Sequence, residues 1–193
     1  MKWTWRLGKI AGIDVHVHIT FTLLIAWIAL SHWVEAGTLA SVLSGTAFIM
    51  AIFLCVVLHE YGHALTARRY GIGTKDITLL PIGGLARLER MPEKPSQEFW
   101  VALAGPAVNV GIAILLLGWL TATGTIRPLS ELEMTHGPFL ERLMLVNLGL
   151  VLFNLIPAFP LDGGRMLRAA LPEHGQFGTI SVDLRSPAVG GRR

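Results

Sequence analysis

His59, Glu60 and His63 close a helix-length run, SVLSGTAFIMAIFLCVVLHEYGHALTARR (residues 41–69), that is otherwise almost uncharged. On a helix of 3.6 residues per turn, side chains at i and i+4 stand one above the other. The two imidazoles can therefore converge on one ion. Glu60 lies one residue, about 100° of helix, beyond His59, which keeps its carboxylate beside that ion and able to take a proton from a water activated there. Two neutral imidazoles suit zinc and the adjacent carboxylate suits a general base, the chemistry of zinc-dependent peptide hydrolysis built on H-E-x-x-H. The plain alternative is a helix end in the membrane interface where the three side chains bond only to one another.

The setting favours chemistry. Ser41 to Leu58 is 18 residues without a charge, and a run of that length reads as membrane-spanning. Ionisable groups there are costly and are functional candidates by default. Two histidines leave a zinc site short of an acidic ligand, and Asp162 is the best candidate. It sits in NLIPAFPLDGG, where Pro157 and Pro160 cannot both continue a regular helix and Gly163 and Gly164 let the backbone turn. A carboxylate at such a break is tolerated mainly where it lines a cavity or meets a partner. Cys55, four residues before His59, shares its face, but a small packing residue is its simpler role than a third ligand.

Composition sets the class. With 193 residues, 52% hydrophobic and 15% charged, and a mean hydropathy of +0.56, the chain is too apolar for a soluble domain, whose charged share is about 25%. A soluble zinc peptidase is excluded, and the fold expected is an all-α multi-pass membrane protein with a short membrane-associated β-hairpin or sheet near the site. The net charge of +3 comes without a Lys/Arg cluster of the nucleic-acid-binding kind, so the bilayer is the expected partner and nucleic acid is not. One cysteine permits no intrachain disulfide.

About four spans are expected to position the site. The opening residues, with Trp3 and Trp5 beside Lys2, Arg6 and Lys9, suit a segment lying against the membrane surface. Residues 13–19 alternate as a short strand, with His16 and His18 on one face as surface residues. Spans follow at about 19–36, 41–67, 98–120 and 139–157. The first is retained, since no A-x-A cleavage site follows it. Between the second and third, about 74–90, two short apolar runs flank Pro81-Ile82-Gly83-Gly84 and read as a β-hairpin at the mouth of the site. Its edge could hold an extended peptide by strand addition, although a plain connecting loop fits the spacing equally well. Asn109, in the third span, must find a partner in lipid; helix-to-helix glue is its simpler role, a place at the site the other.

Four spans put 14 of the 16 Lys and Arg on the side of the amino terminus and leave Arg127 and Arg142 on the other. The positive-inside rule then makes the amino terminus cytoplasmic. His59, Glu60, His63 and Asp162 all fall toward that leaflet, giving a buried site that opens to the cytoplasm.

HEYGH in one span, ALAGPAVN in the next, NLIPAFPLDGG after a further span, and PIGGLARLE between the first two together resemble the site-2 protease family of intramembrane zinc metalloproteases. The likeness covers residues 1 to 170. It implies one Zn2+ per chain held by His59, His63 and Asp162, with Glu60 as catalytic acid/base. Asn154 matches a family asparagine that assists substrate or transition-state binding, and the hairpin with Gly83 and Gly84 matches an element implicated in substrate handling. The implied function is regulated intramembrane proteolysis of a membrane-anchored substrate, such as an anti-sigma factor or transcription-factor precursor, in a prokaryotic cell membrane. The core is expected at 1–171. Family members usually continue with further apolar spans, whereas 172–193 is polar and Gly/Arg-rich and is expected to be a disordered tail. The alternative is a truncated, catalytically silent zinc-binding membrane protein that acts by binding partners. Glu60 speaks against it, because structural zinc sites are usually closed by four protein ligands and need no base.

Overall fold

The computed structural model describes residues 3–171 apart from 82, 129–131, 134–136 and 159. The tail expected at 172–193 lies outside the described residues.

The chain begins with strands β1 (Thr4–Ile10) and β2 (Ile13–His18), an antiparallel hairpin. Ala11 and Gly12 turn it with φ of 50° and 87°, the positive values whose twist suits a two-residue hairpin. Helices α1 (Ile19–Ala36) and α2 (Leu39–Arg69) follow, then strands β3 (Thr74–Leu80) and β4 (Gly83–Leu88), and helices α3 (Pro95–Ala122), α4 (Phe139–Asn154) and α5 (Asp162–Ala170). The hairpin expected at 74–90 is present as β3 and β4. It is half of a larger object, because β2 pairs parallel with β3 and the four strands form one sheet in the order β1-β2-β3-β4. Parallel neighbours need a crossover, and here α1 and α2 supply it. The helical fold with a short hairpin or sheet near the site is present, and the sheet is larger than expected: four strands of mixed direction, with β1 and β2 added to the hairpin. The amino-terminal segment is its outer hairpin, with Trp3, Trp5 and Leu7 left exposed.

One face of the sheet packs on α2: Ile13, Val15 and Ile77 meet Tyr61 and Ala64, and Val17 and Leu79 meet Phe53. On the sheet Asp76 is buried and accepts from Arg87 Nε at 2.8 Å, with a second hydrogen bond from Nη2. These bonds from the Arg87 guanidinium, against the opposing effect of burial, hold the Asp76 carboxyl below its usual range. A depressed carboxylate contributes stability that is complete above the unfolded pKa of about 3.9 and lost as pH falls through the folded value. The melting temperature in detergent is therefore expected to drop below about pH 4 by less in Asp76→Asn than in the parent; equal acid sensitivity would overturn this.

Helix α1 starts on His18, whose Nδ1 accepts from the Thr20 amide at 3.3 Å, and stops at Gly37, φ 61°. His18 is thus a helix cap, a role its strand face did not show. Helix α2 is capped by Thr38 and ends with Arg68 and Arg69 in its last turn, where cations complement the helix dipole. Helices α1, α2 and α3 are long and apolar enough to cross a membrane. Their exposed Trp27, Leu30, Leu54, Ile114 and Leu115 need no other explanation when the solvent is lipid. Helix α4 has 16 residues, about 24 Å at 1.5 Å per residue, short of a hydrocarbon core of about 30 Å. The fourth span expected at 139–157 is a shorter helix, because the backbone leaves the helical path after Asn154, ahead of Pro157.

Helices α2 and α3 meet closely at small residues: a Cβ on Gly62 would lie 2.6 Å from the Ala104 carbonyl oxygen. Such contacts are how helices associate in lipid, where no hydrophobic force separates them from solvent. At the far end of the bundle, fully buried Glu141 of α4 accepts from Arg127 Nε at 3.0 Å. That pair ties the connection after α3 to α4.

Candidate metal centre

Helix α2 presents His59 and His63 on one face, and α5 begins with Asp162 against them. Their donor atoms form a triangle: His59 Nε2 and His63 Nε2 are 3.0 Å apart, and each is 3.1 Å from Asp162 Oδ2. All three residues are buried. His63 Nδ1 lies 2.6 Å from the Val101 carbonyl oxygen of α3, an acceptor only, so Nδ1 carries the proton and Nε2 a lone pair. That lone pair faces a carboxylate oxygen, and a shared cation resolves the conflict between two acceptors. Two imidazole nitrogens and one carboxylate oxygen are a zinc-type donor set with room for an exogenous ligand. Among the described residues this is the one cluster of three or more such groups.

Close approach of α3 is what confines the donors. A Cβ on Gly105 would lie 2.2 Å from His63 Nε2 and 2.6 Å from His59 Nε2. Gly163 is equally constrained, since its Cβ would lie 2.3 Å from the Leu155 carbonyl oxygen. That packing seats the start of α5 on the end of α4 and delivers Asp162. The irregular segment expected around Asp162 is therefore irregular only before it.

Glu60 is not in the triangle. Its Oε2 accepts from the Ala86 amide of β4 at 3.1 Å, so the free edge of the sheet holds the carboxylate. Gly84 makes that possible, because a Cβ there would lie 2.5 Å from Glu60 Cγ. The donors and Glu60 open into a cavity of about 680 Å³ that Gly83, Gly84, Asn109, Asn154 and Arg165 also line. Asn154 donates to the Leu150 carbonyl at 2.9 Å and keeps its place on the wall. Asn109 is fully buried among the residues that line the cavity, and neither atom of its amide finds a partner among the described residues. Cys55 stands apart, packed with Phe48 and Leu143, with the Asn147 amide 3.4 Å from its sulfur.

Three features escaped the sequence reading: the Val101 carbonyl, the Ala86 amide and Arg165. The first two are backbone groups, which no residue type advertises. Arg165 stands three residues from Asp162 in LDGGR, and that i,i+3 spacing was its only signal.

A zinc-type donor set with a carboxylate beside it lies among helices long and apolar enough to cross a membrane. The profile of peptidase family M50 matches residues 47–135 and 125–179, and the chain belongs to that family. A zinc metalloprotease of Methanocaldococcus jannaschii is 41% identical over 172 residues, covering 89% of this chain and 46% of that protein. Stage IV sporulation protein FB of Bacillus subtilis is 32% identical over 120 residues, covering 62% of this chain and 38% of its own length. The solved structure of the site-2 protease from M. jannaschii superposes with a TM-score of 0.63 at 37% identity, covering 86% of this chain and 71% of that one. The chain spans less than half the length of these curated relatives.

Proposed function

We propose that the chain is an intramembrane zinc metalloprotease that hydrolyses a peptide bond in or near the transmembrane segment of a membrane-anchored protein. The observation that carries this is the buried His59–His63–Asp162 triangle with Glu60 outside it, both open to one cavity bordered by a free strand edge. A structural zinc site would be closed by a fourth protein ligand. The silent-binder alternative is not favoured.

His59, His63 and Asp162 would hold the metal. Bound zinc supplies Lewis acidity, which makes water nucleophilic near neutral pH and polarises a carbonyl. Glu60, held beside the triangle, takes the proton of the attacking water and returns it to the leaving amine. Asn109 and Asn154 line the wall where an oxyanion or the neighbouring peptide would lie, and Asn109 has an uncommitted amide to offer. β4 is the edge strand of the sheet, with Glu60 seated at Gly84 and nothing within 4 Å of a Cβ on Gly83, so an extended segment can lie along the rest of that edge. A helical substrate hides its backbone in i to i−4 bonds and must unwind first, so spans with Gly, Pro or Asn are the preferred substrates. The family resemblance points to anti-sigma factors or transcription-factor precursors. The basic residues orient the amino terminus and the cavity toward the cytoplasm of a prokaryotic cell, with α4 as a fourth, shorter crossing.

The test is cleavage of a tagged single-span reporter by the full chain in membranes. Removing zinc with a chelator is expected to stop cleavage, and adding zinc back to restore it. Cleavage that survives demonstrated loss of the metal would overturn the reading.

A further inference from the structure

Arg165 is a cation that the proposed chemistry leaves unused. It lies one turn after Asp162 on α5, and its side chain is 18% exposed, against 50% for Arg168 on the same helix. Its Nε and Nη2 are buried, and neither finds a hydrogen-bond acceptor among the described residues. The nearest carboxylates are too far to serve: Nη1 is 3.9 Å from Asp162 Oδ1, and Nε is 3.9 Å from Glu98 Oε1. Glu98 is already engaged by a direct hydrogen bond from Arg168, and Asp162 turns its other oxygen to the two histidines. A buried donor without an acceptor is costly, and here two sit on one guanidinium in the wall of the cavity that holds the metal donors.

The other residues lining that cavity say what acceptor fits. Ala86 and Leu88 of β4 line the same cavity, and with Arg165 they also line an adjoining one of about 390 Å³. The Ala86 amide points off the sheet, toward Glu60, so β4 offers backbone groups on its free edge. An extended peptide lying between β4 and α5 would turn alternate carbonyls to the two sides. One set would face β4 and the other Arg165.

We propose that Arg165 is a substrate-binding residue whose Nε and Nη2 donate to a backbone carbonyl of an extended peptide next to the scissile bond. This rests on the protease reading above. The planar fork of arginine suits the task, since two donors are fixed in one plane while lysine offers a single mobile point of charge.

The experiment uses the full chain, zinc-loaded, in lipid nanodiscs, with Glu60→Gln as parent so that substrate is held uncut. The probe is a fluorescein-labelled single-span peptide carrying a Gly-Asn pair in mid-span, read by anisotropy. Adding Arg165→Gln is expected to weaken peptide binding about tenfold, and Arg165→Lys about threefold, both with zinc content unchanged. Zinc lost together with binding in both variants would overturn the proposal and make Arg165 a residue that positions Asp162. Unchanged peptide affinity would overturn it also. Should Arg165→Gln fail to fold, Arg165→Lys carries the same two outcomes. A parent that binds the peptide in step with Arg165, beside a wild type that never cuts it, would remove the protease reading and keep the peptide site; a parent that binds no peptide, beside a wild type that cuts it, would overturn the proposal alone.

Discussion

Glu60→Gln should lower reporter cleavage by about 10²–10⁴-fold, the usual contribution of a positioned acid–base group, while zinc content stays that of the parent. The substitution keeps the length and an acceptor oxygen for the Ala86 amide, which now meets Glu60 Oε2 at 3.1 Å. What it removes is the ability to carry a proton. Metal should be retained because Glu60 contributes nothing to the triangle of His59, His63 and Asp162. The measurement pairs single-turnover cleavage with elemental analysis of the same preparation. Equal rates would show that another group moves the proton, and loss of zinc would make Glu60 part of the metal shell.

The second large effect comes from a residue with no side chain. Gly105→Ala would put a methyl group 2.2 Å from His63 Nε2 and 2.6 Å from His59 Nε2. Real Cβ atoms do not approach nitrogen that closely, so the rings or the helix must move. His63 cannot swing freely, since its other nitrogen is held by the Val101 carbonyl on the same helix that carries Gly105. The donors would therefore spread, and zinc affinity is expected to fall more than tenfold, in the range that displaced ligand geometry usually costs, with cleavage falling alongside. Gly111→Ala on the same helix is the control, because a Cβ there meets nothing within 4 Å; it should keep metal and activity. A zinc titration that gave Gly105→Ala the affinity of Gly111→Ala would show that α3 does not confine the site.

Glu60 and its histidines follow from local geometry alone: a helix repeats every 3.6 residues, so H-E-x-x-H in an apolar run has one spatial meaning. Asp162 was legible for another local reason, a carboxylate where apolar sequence breaks at two prolines. The helical spans could be drawn within a few residues, as α2 and α3 show, because lipid makes composition speak for position. His18 as a cap and the end of α4 at Asn154, ahead of the expected 157, are local features that the pattern left unspecified.

The rest depends on which segments touch. His59 and Asp162 are 103 residues apart, and nothing in either segment encodes the 3.1 Å between them. Pairing β2 with β3 is equally non-local, since strands 13–18 and 74–80 meet only after two helices have carried the chain out and back. Asn109 shows the limit in one residue. Any buried amide in lipid needs a partner or a cavity, and periodicity cannot say which; the packing of α2, α3 and α4 leaves it among the residues that line the cavity. The Val101 carbonyl, the Ala86 amide and Arg165 belong to the same group, because distances across a packed interface are set by the sum of many side-chain volumes. Residue spacing along one helix or strand is set by the backbone alone.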